Sequence, residues 1–145
     1  MITSSVEIDR PQSVVFAYLD DLEKHSEWQG DLISSRLETD GPVRVGTRAS
    51  DTRRVPGGPR DFSYEITEYD PPRKSSWRVL EGPVRAVGSV TVEPVGDGER
   101  SRVTVAFDLE GHGIGSLIAP FARMQARRQV PKDQAALKAI LERRT

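Results

Sequence analysis

The sequence predicts an antiparallel α+β fold, and three observations carry that prediction. Apolar and polar residues alternate with period two in segment after segment through the middle of the chain. Gly- and Pro-rich turns separate these segments at roughly ten-residue spacing, as in hairpins rather than helical crossovers. Helical spacing is confined to a short stretch after the first strand and to a long C-terminal run. With 145 residues, the chain suits one domain spanning 1–145.

Ile2, Ser4, Val6 and Ile8 alternate with polar partners and predict a first strand over 2–8. Pro11 then starts a helix, because Pro at a first helical position gives up no needed N–H. Val15, Leu19 and Leu22 recur at helical spacing, with Tyr18 beside them. The polar cluster from Asp20 to Glu27 divides this region into two short helices. Next come Ile33, Ser35 and Leu37 on one face, a strand at about 46–55, and the turn "VPGGPR". Phe62, Tyr64 and Ile66 precede the turn "YDPPRKS", and Trp77 and Val79 follow it. The series Val84, Ala86, Gly88, Val90, Val92 leads through "VGDGER" to Val103, Val105, Phe107 and Leu109. Together these form a meander of about six to seven strands with one apolar and one solvated face.

The C-terminal helix is expected to run to about Arg143, with Ile114, Leu117, Ile118, Phe121 and Met124 packed on the sheet. A second line, Ala126, Val130, Leu137 and Leu141, is rotated from the first, and Pro131 at the changeover predicts a kink. Gly111, Gly113 and Gly115 in "EGHGIGSLIAPFARMQ" do not make a nucleotide site. The dinucleotide fingerprint needs G-x-G-x-x-G inside a parallel strand–helix–strand unit, and a Walker loop needs Gly-Lys-Ser/Thr. They read as a hinge that swings the helix back across the sheet.

Composition narrows the function. There is no cysteine, so disulfides, cysteine–zinc sites and thiol catalysis are excluded. Net charge is -1, which points to no nucleic-acid partner. The N-terminus lacks a signal-peptide apolar core, and no run reaches the roughly 20 apolar residues that span a bilayer. A cytoplasmic location without integral membrane contact is the expectation. His25 with Glu23 and Glu27 does not make a metal site, because residues two apart on a helix face different ways. No cofactor is expected.

The stretch "VEIDRPQSVVFAYLDDLEKHSEW" resembles the opening of the START-like (SRPBCC) superfamily. "YEITEYDPPRKSSWRV" and "GIGSLIAPFARMQARRQVPKDQAALKAILERR" are similar to the hairpin and ending of its polyketide cyclase/dehydratase branch. The resemblance covers nearly the whole chain. It implies a helix-grip fold, in which a curved sheet holds the long helix over an internal cavity for lipids, polyketides or other apolar molecules. It supplies no catalytic residue.

Alternation sets the inward residues: Phe62, Tyr64, Trp77, Val79, Val90, Val105, Phe107 and Leu109 from the sheet. Leu117, Phe121 and Met124 would join from the long helix, and Phe16 and Trp28 from the short ones. Closed cores use the same residue types as apolar pockets, so each also reads as plain core. Among polar candidates, His112 sits at the hinge and could donate to a ligand or act as base. Gln125 and Arg128 continue the Ile114–Phe121 face and could meet a polar head, or lie on a solvated flank. Asp51 and Arg53 share a strand face, as an inward acid/base or anchoring pair or as a surface pair. Arg123, Arg127, Arg128 and Lys132 form a basic run suited to solvent or an anionic surface.

Three functions follow in order of support: binding of a small apolar molecule with one polar end, cyclase- or dehydratase-type catalysis in the same cavity, and a protein-interaction role. A homodimer is compatible with each.

Overall fold

The computed structural model describes residues 1–55 and 57–143. Pro56, in the expected "VPGGPR" turn, and Arg144 and Thr145 lie outside the described residues. Strand β1 (Ile2–Ile8) leads into helix α1 (Gln12–Asp20) and a 3-10 turn over Leu22–Glu27. A meander follows: β2 (Leu32–Leu37), β3 (Arg48–Val55), β4 (Gly58–Asp70), β5 (Lys74–Val79), β6 (Val84–Val95) and β7 (Arg100–Gly111). Helix α2 (Gly115–Arg143) completes the chain. The strands form one curled antiparallel sheet in the order β1-β7-β6-β5-β4-β3-β2, so β1 closes the far edge against β7.

Pro11 stands just before α1, and its carbonyl accepts from Val14 and Val15 N–H. In β2 the pairing slips between Leu32 and Ser34, a bulge that buries Leu32 and leaves Ile33 exposed. The expected Ile33 face is therefore corrected by one residue at that end, whereas Ser35 and Leu37 pair opposite Asp51 and Ala49.

The main core joins Ile8, Val15, Phe16, Leu19 and Trp28 to Val92, Val103, Leu137 and Leu141. Each large aliphatic side chain buried there stabilises the fold by about 1.5–3 kcal/mol. A smaller cluster holds Leu22, Ala49, Tyr64 and Ile66 beneath β2–β5. Polar contacts fix α2 lengthwise along β1. Buried Gln134 accepts from Ser4 Oγ (2.6 Å) and donates to the Ser4 carbonyl (2.9 Å). Lys138 reaches the Glu7 carbonyl, and Glu142 accepts from Asp9 N–H.

The expected sheet-facing stripe of α2 is reversed. Leu117 and Phe121 are 75% and 68% exposed, while Leu137 and Leu141 are 0% and 1% exposed. Phe121 lies about 160° around the helix from Leu137, whereas Ala119 is about five turns before it and on the same side. The buried side of the first half is thus made of small residues, including Gly115 and Ala119. The physical reason is a close approach at the helix start. A Cβ on Gly115 would stand 1.7 Å from the Pro83 carbonyl oxygen, and one on Gly111 2.5 Å from that of Gly115. Of the three glycines only Gly113 has positive φ, at 61°, so it alone is the hinge and the others make room. The chain remains helical through Pro120 and Pro131.

Candidate functional site

Register brings the predicted sheet residues onto the concave face. Asp51 pairs opposite Phe62, Tyr64 opposite Val79 and Ala49, and Ile66 opposite Trp77. Trp77 stands opposite Gly88, which in turn faces Phe107, and Val90 faces Val105. A Cβ on Gly88 would come within 2.4 Å of Phe107 Cβ and 3.0 Å of Trp77 Cζ2. The missing side chain lets the two aromatic residues close over the strand between them. An isolated glycine on the apolar face of a strand is the sequence signal for such an approach.

The result is an open trough. Phe62, Trp77, Val79, Val90, Val105 and Leu109 are only half-buried, and α2 lies over β1 and β7. Two defined crevices lie at its margins or beyond it. One of about 350 Å³ is charged and sits between β1 and the end of α2, lined by Glu7, Arg100, Lys138 and Glu142. The other, about 320 Å³, lies at one end of β4 between Phe62, Arg60 and the Glu81–Pro83 turn.

Asp51 and Arg53 form the pair the sequence suggested, within a larger polar knot. Arg53 donates to Asp51 Oδ2 (2.9 Å), Asp31 Oδ1 (3.0 Å) and Gln29 Oε1 (2.7 Å). Buried Asp51 also accepts from Ser35 Oγ at 2.7 Å. The turn after Trp28 ties this knot to the long helix, because Gly30 N–H and Gln129 both donate to Asp133. Burial raises the Asp133 carboxyl above its ordinary value, and these two hydrogen bonds oppose that shift. Gln29, Asp31, Gln129 and Asp133 escaped the sequence reading. They meet only through tertiary contact, and no local spacing marks them.

Two buried donors of this region have no partner among the described residues, Tyr64 OH and Trp28 Nε1. Burial, aided by the Asp51 charge, pushes the Tyr64 hydroxyl well above its usual range, so it stays protonated as a hydrogen-bond donor. Trp28 packs edge-on against the His25 ring, with centroids 5.6 Å apart. His25 is held below its ordinary pKa chiefly by burial, and its Nε2 meets the Leu19 carbonyl at 2.7 Å. The histidine is thus used inside the fold, and Glu27 is taken by the Tyr18 hydroxyl. Among the described residues no cluster of three acidic or histidine side chains could hold a metal.

The remaining candidates lie elsewhere. His112 is exposed at the hinge, its Nε2 3.9 Å from Glu110 and its backbone N–H bonded to the Pro83 carbonyl. Leu117, Phe121, Met124, Gln125 and Arg128 are all exposed on the outward side of α2, which corrects their placement over the sheet.

The profile of the family described as polyketide cyclase / dehydrase and lipid transport matches residues 1–144. A search of curated protein sequences gave no match. Among solved structures, the chain is similar to a START superfamily protein from Mycobacterium smegmatis (TM-score 0.81, 13% identity, 99% of this chain and 98% of that one). It is similar to the Zhui aromatase/cyclase from a Streptomyces species (TM-score 0.81, 18% identity, 99% and 93%). A third similar structure is that of a protein from Thermus thermophilus (TM-score 0.74, 19% identity, 97% and 95%). At these identities the likeness is one of fold.

Proposed function

Because the chain belongs to the polyketide cyclase / dehydrase and lipid transport family, with the START-like helix-grip fold, we propose that it binds a small aromatic or lipid-like molecule in the concave trough. One observation carries this reading: a half-buried apolar floor shares the concave side with a buried donor, Tyr64 OH, that has no partner among the described residues. An unpaired buried donor is costly, so a ligand acceptor such as a carbonyl gains a full hydrogen bond by meeting it. Binding is favoured over turnover by the state of the ionisable groups. Tyr64 is held protonated, Asp51 and Arg53 are ion-paired with each other, and His112 is exposed at the hinge beside Glu110.

The test uses the two tryptophans, Trp28 and Trp77, which both belong to this region. Their fluorescence is followed while oleate and a polycyclic aromatic ketone are titrated in. Saturable quenching by at least one probe is expected. Tyr64→Phe should weaken the ketone about five- to tenfold, the loss of one hydrogen bond, without lowering thermal stability. No saturable response from either probe, or equal affinity in the variant, would overturn the reading.

A further inference from the structure

The outward side of α2 is unlike the rest of the surface. Leu117, Ile118, Phe121 and Met124 lie on one side of the helix and are 75%, 45%, 68% and 46% exposed, and Ile114, in the turn just before it, is 71% exposed and extends their line. The ridge runs about 15 Å along the axis. Scattered exposed apolar residues need no explanation, but a contiguous ridge of five marks a contact surface. The same side continues into Gln125, Arg128 and Lys132, with Arg127 alongside, all exposed. Between Gly111 and Lys132 there is no acidic residue, although the chain as a whole has net charge -1. Arg127, Arg128 and Lys132 have no carboxylate within ion-pair distance among the described residues.

An apolar ridge with unpaired cations beside it is the pattern of a helix that lies in the plane of a membrane interface. The ridge enters the acyl boundary while the cations meet anionic headgroups. We propose that the outward face of α2 docks on an anionic lipid surface. Charge complementarity favours this occupant over a second copy of the chain. A self-complementary contact on one ridge of about 15 Å also falls short of the roughly 800 Å² per partner that a stable interface buries. Docking of this kind is peripheral, since no helix among the described residues is long and apolar enough to cross a membrane. It does not require the trough to hold a ligand.

The experiment is flotation of the full chain with vesicles of phosphatidylcholine alone or with a third of the lipid replaced by phosphatidylglycerol. Binding to the anionic vesicles, little to the neutral ones, and release in high salt are expected. Replacing Arg127, Arg128 and Lys132 together by Gln should weaken binding about a hundredfold, from roughly fivefold per charge. The double substitution Leu117→Ser with Phe121→Ser should weaken it at least tenfold while circular dichroism and thermal midpoint stay unchanged, since both residues face solvent. Equal binding to both vesicle types, no binding to either, or full binding by the double variant would overturn the proposal. So would a concentration-dependent dimer that the double variant abolishes, combined with no vesicle binding, which would assign the ridge to a second copy.

Discussion

The two halves of α2 are built from similar residue types and have opposite fates. From Gly115 to Met124, the large apolar side chains face water and the small ones face the protein. From Asp133 to Leu141, the large aliphatic side chains are at the centre of the main core and the outer side is polar or small. Helical spacing marks both stripes equally well. What separates them is the distance to the sheet, set at one end by Gly115 against Pro83 and at the other by Leu137 and Leu141 against Val92 and Val103. A hydrophobic period identifies a face, but the close approach of backbones decides which face is turned in.

The largest effect that tests this contrast is truncation in the packed half. Leu137→Ala should cost about 2–5 kcal/mol in stability, whereas Leu117→Ala should stay within about 0.5 kcal/mol. Chemical denaturation of both variants measures the difference, and similar losses would erase the contrast between the halves.

Gly115→Ala comes next. The added methyl collides with backbone, which side-chain rotation cannot relieve, so a loss of about 1–3 kcal/mol is expected. Hydrogen exchange should quicken in Ile114–Met124 and stay slow around Leu137. Unchanged exchange in the first half would mean that the Pro83 contact does not hold it.

The smallest effect concerns a charge in the packed half. Asp133 is buried and its folded pKa is raised above 3.8. Between the unfolded and folded values the native state binds more protons, so stability rises as pH falls through that window. Above it, the buried carboxylate carries a constant cost. Asp133→Asn keeps an oxygen to accept from Gly30 and Gln129 and removes the charge. Its melting temperature should exceed that of the natural protein slightly at neutral pH, and the advantage should shrink as pH is lowered into that window. An advantage independent of pH would point to packing rather than charge.

Much of the architecture was legible in the sequence because strand alternation is a strictly local signal. Phe62, Tyr64, Trp77, Val79, Val90, Val105 and Phe107 share one face as their period requires. The Asp51–Arg53 ion pair follows from the same period. The bulge at Ile33 was not legible, since a pairing slip depends on the partner strand. Nor were the other members of the Arg53 knot, which come from a turn and from a helix about a hundred residues later. The face of the first half of α2 was misread for a different reason. Hydrophobicity favours the stripe with the larger side chains, and only the space left at Pro83 selects the smaller one.

Arg123 performs a task on α2 that differs from those of its basic neighbours. Strand β1 reaches only as far as Ile2 opposite Phe107, so among the described strands the end of β7 is flanked by β6 alone. There the Arg123 guanidinium donates to the Leu109 carbonyl and meets the Asp108 carboxylate. An unpaired strand edge invites another chain to add itself, which is how soluble proteins begin to aggregate. The long helix therefore guards the sheet at its open corner as well as packing on it, and a single side chain supplies the stopper.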